Sequence, residues 1–184
     1  MKKHELRTIG KQKILDLDKE QKLEISRKLS KNLKTFLESL NSETDLLANK
    51  MLGGFAPLKD ELDWYLEIQE SGMWPCVPCL VDEINMEFYK VSWKLLTKDF
   101  LSVNWAGRFP KALPKVLLVP GLMFDPKGGR LGRGKGCYDK YLSNKEVLKI
   151  GVCSEEQIIK ELTLEDHDIR MDVVITDQNI YRRG

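Results

Sequence analysis

Apolar and polar positions alternate at helical spacing near the start of the chain. The apolar side chains in this pattern are Leu29, Leu33, Phe36, Leu37 and Leu40. Asp18 with Gln21 predicts an N-terminal cap, so we expect a second helix to begin there after a break near Asp16. Two later segments, Asp60 to Gln69 and Glu155 to Leu162, also have a pattern that predicts helices.

The middle and end of the chain contain short runs that predict strands. These runs are Met73 to Val81, Met86 to Trp93, Val116 to Val119, Val147 to Cys153 and Asp172 to Thr176. The run from Val116 is wholly apolar between two prolines, as is typical of a strand buried on both faces. Strands that alternate with helices predict an α/β fold with a largely parallel sheet. Because the composition does not shift abruptly, we interpret residues 1–184 as one domain.

Composition excludes several classes of protein. Hydrophobic residues make up 42% of the chain and charged residues 32%, which is typical of a globular protein. The net charge of +2 is too small for bulk attraction to nucleic acid or to a membrane surface, so anion binding requires local clustering of cations. No apolar run approaches the roughly 18 residues of a membrane helix, and no signal peptide is recognisable. We therefore expect a cytoplasmic protein that binds neither membranes nor nucleic acid.

Cys76 and Cys79 have the spacing of a metal or redox pair. Zinc would need a second ligand pair, yet the other two cysteines are isolated and the chain has only two histidines. Pro75 and Pro78 argue against a helix that begins at Cys76, as a redox motif would require. We interpret the pair as ordinary core or strand-edge cysteines, with a redox pair as the alternative.

The most informative stretch is VLLVPGLMFDPKGGRLGRGKGCYDKYL, which begins at Val116. Six of the chain's thirteen glycines lie within sixteen residues here, with three cations between them: Gly121, Gly128, Gly129, Gly132, Gly134 and Gly136, with Arg130, Arg133 and Lys135. Glycines let backbone N–H groups approach an anion, a helix that begins after them adds donors, and the cations add charge. The stretch predicts a phosphate-binding loop. A flexible surface loop and a segment that binds nucleic-acid phosphates remain alternatives.

The loop departs from two common phosphate-binding motifs. Gly129-x-x-x-x-Gly134-Lys135 fits a P-loop, but Gly136 follows where a Ser or Thr hydroxyl is needed. The dinucleotide-binding fingerprint fails as well, because its third glycine would come one position later than Gly136.

The run VPGLMFDPKGGRLGRGKGCYDKYL resembles the motif of the 5-formyltetrahydrofolate cyclo-ligase family, also called methenyltetrahydrofolate synthetases. Two shorter matches lie at the ends of the chain. Lys3-x-x-Leu6-Arg7 is similar to the family's opening K-x-x-L-R, and His167-Asp168 with Asp172 is similar to its ending H-D-x-x-x-D-x-V. The resemblance spans essentially the whole chain and is specific in the loop.

The resemblance implies a three-layer α/β/α sandwich around a mostly parallel sheet. It also implies an enzyme that uses ATP as co-substrate and Mg²⁺ as cofactor to convert 5-formyltetrahydrofolate into 5,10-methenyltetrahydrofolate, ADP and phosphate. We expect the enzyme to be a monomer. In the implied mechanism, the γ-phosphoryl group moves to the formyl oxygen and gives an iminium phosphate. Such a transfer needs positioning and cations more than a side-chain nucleophile.

Residue roles follow from the same resemblance. The implied ATP-binding residues are Lys3, Arg7, Arg130, Leu131, Gly132, Arg133, Gly134, Lys135, Gly136, Cys137 and Tyr138. The implied folate-binding residues are Phe55, Ala56, Glu61, Arg133, Gly134, Lys135, Gly136 and Cys137. Arg133 and Lys135 are the expected catalytic cations, and Asp139 and Asp168 match the family's magnesium ligands.

The residues themselves also allow simpler interpretations. Lys3 and Arg7 could belong to a solvated helix face. Glu61 could be a first-turn glutamate that interacts favourably with the helix dipole, and Asp168 could be an ordinary carboxylate at the end of a loop. Cys137 replaces the first of two tyrosines in the family motif, and Phe109 stands where many members carry glutamate. The alternative function is a nucleotide-binding or single-stranded nucleic-acid-binding module that uses the same loop. A kinase-like enzyme acting on another small molecule is a third hypothesis.

Overall fold

The computed structural model describes residues 1–96 and 108–184 and begins with two helices. Helix α1 spans Lys3–Leu15 and helix α2 spans Lys19–Glu43. The predicted cap is confirmed: the Asp18 carboxylate accepts the backbone N–H groups of Glu20 and Gln21, and the Gln21 side chain accepts the N–H of Asp18. Two short helices follow, α3 (Trp93–Leu96) and α4 (Cys137–Leu142). Within the described ranges, no helix has the length and hydrophobicity needed to cross a bilayer.

Eight strands form one sheet, and the predicted strands are confirmed. They are β1 (Met51–Gly53), β2 (Trp74–Leu80), β3 (Met86–Lys90), β4 (Lys111–Ala112), β5 (Val116–Pro120), β8 (Leu148–Val152), β9 (Val173–Ile175) and β10 (Ile180–Arg182). Their order is β10-β9-β8-β5-β1-β2-β3-β4. Strands β9, β8, β5, β1 and β2 are parallel, and antiparallel strands flank them on both sides. A separate hairpin pairs β6 (Met123–Phe124) with β7 (Arg130–Leu131).

The sheet lies between two apolar layers because side chains alternate along each strand. Val116 and Leu118 of β5 belong to one core, which contains the buried face of α2. Leu117 and Val119 belong to the other core, which contains Leu142 of α4. Strand β5 is buried on both faces, as its uninterrupted apolar run predicts. The expected three-layer α/β/α sandwich around a mostly parallel sheet is confirmed.

The order of the strands defines where a ligand is expected. From β1 the chain proceeds to β2 on one side, whereas β5, the next strand after β4, lies on the other side of β1. In open α/β sheets, ligands bind outside the carboxyl ends of strands at such a switch point. The residues at this position are Gly54 and Phe55 after β1, and Gly121 after β5.

The predicted helix from Asp60 to Gln69 is wrong. Residues 64–70 form hydrogen-bonded turns, and the residues before them are irregular. Side chains of α2 take the backbone donors: the N–H of Asp63 donates to Ser26 Oγ at 3.1 Å, and that of Glu67 donates to Ser30 Oγ at 2.8 Å. Tertiary hydrogen bonds to α2 therefore replace the i to i−4 bonds of a helix.

The predicted helix from Glu155 to Leu162 is also wrong beyond its first turn. A 3₁₀ turn spans Glu155–Gln157, with Ser154 as its cap. The chain then runs alongside the β6–β7 hairpin. The N–H of Ile159 donates to the carbonyl of Phe124 at 2.9 Å, and that of Leu162 donates to Asp125 Oδ2 at 2.9 Å. These bonds to a neighbouring element hold the segment extended.

Candidate active site

A buried aspartate shapes the start of the glycine-rich loop. Asp125 is fully buried, and its carboxylate accepts N–H groups from Lys127 at 2.9 Å, Gly129 at 2.8 Å and Leu162 at 2.9 Å. These bonds close the β6–β7 hairpin and attach it to the segment after the 3₁₀ turn. Gly128 and Gly129 therefore belong to a structural turn, and the part of the loop that lines the cavity begins at Arg130.

The segment from Gly132 to Gly136 joins β7 to α4 along the edge of a cavity. Gly134 and Gly136 have φ angles of +101° and +69°, which residues with a side chain rarely adopt. Gly136 is the residue before α4, so the expected helix start is confirmed. Helix α4 has only six residues, and its dipole therefore contributes less here than the side-chain cations.

Helix α1 brings two cations to this segment. Arg7 Nε donates to the carbonyl of Gly132 at 2.9 Å, and Lys3 Nζ lies 2.7 Å from Glu165 Oε1 and 3.2 Å from Asp168 Oδ2. The Lys3 side chain is about one third exposed, and its hydrogen bond to Glu165 raises its pKa. Residues 3 and 7 therefore share the helix face that lines the cavity, as their spacing of four predicts.

Arg130 is held by an ion pair inside the site. Its Nη2 atom lies 2.8 Å from Asp139 Oδ1 and 2.7 Å from Asp139 Oδ2, and Arg130 Nη1 donates to the Pro120 carbonyl at 3.3 Å. The Arg130 side chain is only 5% exposed. Breaking a buried pair of this kind costs about 3–5 kcal/mol. Arg130 is therefore poorly placed to exchange Asp139 for a mobile phosphate, and its predicted contact with ATP stays a prediction.

Arg133 is bound to two carboxylates from the segment after β1. It makes two parallel bonds to Asp60, Nη1 to Oδ2 at 2.9 Å and Nη2 to Oδ1 at 2.7 Å, and a third from Nη2 to Glu61 Oε1 at 2.9 Å. Burial alone would lower the pKa of Arg133, but both carboxylates outweigh it and raise the pKa. Glu61 Oε2 accepts the backbone N–H of Leu58 at 2.9 Å, which fixes its orientation.

Lys135 differs from the neighbouring cations because its ammonium group has no hydrogen-bond or ion-pair partner among the described residues. The ion pairs there take up Lys3, Arg130 and Arg133, and they include neither Arg7 nor Lys135. Lys135 is exposed at the edge of the cavity. Its ammonium group is available to an anionic ligand without the loss of an existing bond.

These side chains surround a cavity of about 600 Å³ at the carboxyl end of β5, where Pro120 and Gly121 line it. The lining includes the cations described above and apolar side chains, among them Pro78, Leu80 and Met86 from β2 and β3. Pockets of roughly 300–1,000 Å³ are typical of small-molecule sites. The cavity brings together most of the residues predicted to bind ATP or folate: Lys3, Arg7, Glu61, Arg130, Leu131, Gly132, Arg133, Gly134, Lys135, Gly136, Cys137, Tyr138, Asp139 and Asp168.

Two predicted residues lie elsewhere, and others were missed. Phe55 and Ala56 are not among the residues that line this cavity, and Phe55 is buried against Trp64. Sequence reasoning missed Asp60 and the structural role of Asp125. Asp60 lies 73 positions before its partner Arg133, so spacing along the chain gave no means of choosing it.

The predicted magnesium ligands differ in how well they suit the ion. Asp168 Oδ2 accepts bonds from Lys3 and from the N–H of Glu165, and His167 Nε2 lies 3.9 Å from Asp168 Oδ1. Both oxygens of Asp139 are bound to Arg130. Within the described ranges, no group of three or more His, Cys, Asp or Glu side chains could hold a metal. Because Mg²⁺ is often held by one or two carboxylates with substrate phosphates, Asp168 fits the ion, and Asp139 fits it only after release from Arg130.

The cysteine pair has a structural setting. Cys76 is buried in β2, and burial raises the pKa of its thiol to about 12. Redox and metal chemistry use the thiolate, which this environment disfavours. The described cysteines are free thiols, which favours the interpretation of Cys76 and Cys79 as ordinary core and strand-edge residues.

A mostly parallel α/β sheet with a cation-lined cavity at its switch point is typical of α/β proteins that bind small anionic ligands. The sequence model of the 5-formyltetrahydrofolate cyclo-ligase family matches residues 86–177. The chain belongs to this family, so the resemblance in the glycine-rich loop is confirmed.

Individual relatives support this assignment. A probable 5-formyltetrahydrofolate cyclo-ligase of Schizosaccharomyces pombe is 33% identical over 130 residues, which is 58% of this chain and 62% of that protein's length. The 5-formyltetrahydrofolate cyclo-ligase of Mycoplasma genitalium is 28% identical over 94% of this chain and 96% of its own. The solution structure of 5,10-methenyltetrahydrofolate synthetase from Aquifex aeolicus superposes with a TM-score of 0.76 at 28% identity, covering 100% of this chain and 93% of that one.

Proposed function

We propose that this protein catalyses the ATP- and Mg²⁺-dependent cyclisation of 5-formyltetrahydrofolate to 5,10-methenyltetrahydrofolate, with release of ADP and phosphate. The names of the relatives give 5-formyltetrahydrofolate as the substrate or 5,10-methenyltetrahydrofolate as the product, and the chain shares the fold of the Aquifex aeolicus synthetase. The cavity is lined by both cations and apolar side chains, which suits a polyphosphate and a flat heterocycle. We also propose that residues 1–184 act as a single, monomeric and cytoplasmic domain.

The chemistry explains why the site needs cations and no nucleophilic side chain. The formyl group is an amide, so its carbon is a weak electrophile and its oxygen a poor leaving group. Transfer of the γ-phosphoryl group from ATP to that oxygen releases ADP and gives an iminium phosphate. The neighbouring folate amine then attacks the formyl carbon and loses its proton to water or to the departing phosphate, the carbon–oxygen bond breaks, and phosphate leaves. Positioning and charge stabilisation supply most of the catalysis in such a transfer.

The observation that carries this proposal is the pair of uncompensated cations beside the Gly132–Gly136 backbone. Arg7 donates to the Gly132 carbonyl and Lys135 lies on the same segment, yet the described ion pairs include neither of them. A polyphosphate bound along this segment would gain both charges without displacing a carboxylate. In this proposal Lys135 and Arg133 stabilise the transferring phosphoryl group, and Lys3 and Arg7 hold the remainder of the triphosphate.

Glu61 faces the folate part of the cavity. A carboxylate accepts two hydrogen bonds from the donor edge of an aminopyrimidinone ring. Both Glu61 oxygens are engaged here, Oε2 by the N–H of Leu58 and Oε1 by Arg133, so the side chain is preoriented toward the cavity. We propose that the folate ring takes the acceptor that Arg133 occupies.

A magnesium ion would be held by Asp168 together with phosphate oxygens, and by Asp139 where Arg130 releases it. When bound, it would neutralise charge on the phosphates of ATP. The volume of the cavity, about 600 Å³, is that of a small-molecule site and favours such a ligand over a single-stranded nucleic acid, which needs a groove that follows the backbone.

This function is tested by mixing the purified protein with 5-formyltetrahydrofolate, ATP and Mg²⁺. We expect the near-ultraviolet absorbance of the methenyl product to rise, with one ADP formed for each product molecule. Omission of ATP, or chelation of Mg²⁺, should stop the reaction. Absence of product at every magnesium concentration, with the protein folded by circular dichroism, would contradict the proposed function.

A further inference from the structure

The guanidinium of Arg133 is bound to two carboxylates. It donates three hydrogen bonds, two to Asp60 and one to Glu61. The Asp60 bonds are parallel and use two different nitrogens and both carboxylate oxygens, the geometry that fixes a guanidinium plane most firmly. The bond to Glu61 is single and shares Nη2 with Asp60. The two carboxylates therefore make unequal contributions to the position of Arg133.

The two side chains of the Asp60–Arg133 ion pair differ in how deeply they are buried. The Asp60 side chain is 11% exposed, whereas the Arg133 side chain is 34% exposed. Burial alone would raise the pKa of Asp60, but Arg133 outweighs it and holds the pKa below its usual range. Asp60 is thus a buried anion bonded to the inner side of a guanidinium whose remaining surface faces the cavity. Asp60 itself is not among the residues that line the large cavity.

We propose that Asp60 is a positioning residue that holds Arg133 in place for the transferring phosphoryl group. This inference rests on the proposed function. Folate that binds Glu61 removes one of the three bonds of Arg133, and the two bonds to Asp60 keep the guanidinium from swinging into solvent. The Asp60 carboxylate also balances the positive charge of Arg133. The Nε atom of Arg133 and the edge of its guanidinium that Asp60 does not bind can then approach phosphate. Glu61 recognises substrate, and Asp60 acts only through Arg133.

The test is a double-mutant cycle of Asp60→Asn with Arg133→Met. The matched control is Asp63→Asn, which removes a half-buried carboxylate three residues away that does not contact Arg133. The binding readout is the Kd of a non-hydrolysable ATP analogue by calorimetry, without folate. The catalytic readouts are kcat and the two KM values.

In the wild-type background, we expect Asp60→Asn to weaken analogue binding about 10-fold and to lower kcat by roughly 10–100-fold, because Arg133 loses its anionic partner. The KM for folate should change less than about 3-fold, since Glu61 remains. Asp60→Glu should recover part of the kcat loss, and Asp63→Asn should stay within about 2-fold of wild type.

In the Arg133→Met background, Asp60→Asn should change analogue binding less than about 2-fold, because the residue through which it acts is gone. Equal losses in both backgrounds, or a loss no larger than that of Asp63→Asn, would overturn the positioning role. Melting temperatures of all variants identify those that fail to fold, and Asp60→Glu then replaces Asp60→Asn in the cycle. If the wild-type protein showed no activity, the proposed function would be refuted. The role of Asp60 would still be decided separately, by the binding of the ATP analogue.

Discussion

Replacement of Lys135 by alanine is expected to lower the rate of methenyl formation by at least about 1,000-fold, roughly 4 kcal/mol in the activation free energy. The cations that stabilise phosphoryl transfer are worth about 10³–10⁵ in rate. Lys135 is exposed and has no ion pair among the described residues, so its ammonium is free to meet the developing charge. The measurement is steady-state kinetics of methenyl formation at saturating ATP and folate.

The same absence of partners predicts that Lys135→Ala leaves stability unchanged. The matched control is Lys140→Ala, which removes an exposed lysine of helix α4 that does not line the cavity. We expect the control to keep its activity within about 2-fold and both variants to unfold at the wild-type temperature. A loss of less than 10-fold for Lys135→Ala would show that this lysine does not act on the transferring group.

Replacement of Asp125 by alanine is expected to lower the free energy of unfolding by about 3–5 kcal/mol, since buried donors left unpaired cost about 1–3 kcal/mol each. Three backbone N–H groups lose their acceptor, and two of them shape the turn that precedes β7 and the segment from Gly132 to Gly136. Urea denaturation followed by circular dichroism measures the change, with the slope against denaturant checked for constancy.

Asp82 provides a control for the effect of burial. Its carboxylate also accepts backbone N–H groups, from Ile84 at 3.0 Å and Asn85 at 2.7 Å, but it lies exposed at the turn between β2 and β3. Water replaces the carboxylate there, so Asp82→Ala should cost about 1 kcal/mol or less. Equal losses for the two variants would contradict the structural role assigned to buried Asp125.

Features that depend on local sequence were predicted correctly. The cap formed by Asp18 and Gln21 involves neighbours three residues apart, and the apolar run at β5 is sufficient to identify a strand buried on both faces. The glycine-rich loop was recognised because its glycines and cations are contiguous. The spacing of Lys3 and Arg7 was sufficient to predict that both cations lie on one face of helix α1.

Features that depend on distant partners were predicted incorrectly or missed. The turns after Asp60 replace a helix because hydroxyl groups of Ser26 and Ser30 in α2 accept their backbone donors. The pairing of Arg133 with Asp60 joins residues 73 positions apart, so no local pattern reveals it. Arg130 and Asp139 lie closer together in the sequence, but the sequence does not show that they pair. It is equally consistent with a phosphate-binding arginine and a metal-binding aspartate that do not contact each other. Tertiary contacts decide such cases.

The central claim is that the segment from Gly132 to Gly136 binds the triphosphate of ATP and directs its terminal group toward a bound folate. A crystal structure with a non-hydrolysable ATP analogue and 5-formyltetrahydrofolate tests it most directly. We predict phosphate oxygens within hydrogen-bonding distance of this segment, Lys135 and Arg7, and the formyl oxygen in line with the terminal phosphorus. An analogue bound away from this segment, with the cavity filled by folate alone, would contradict the claim.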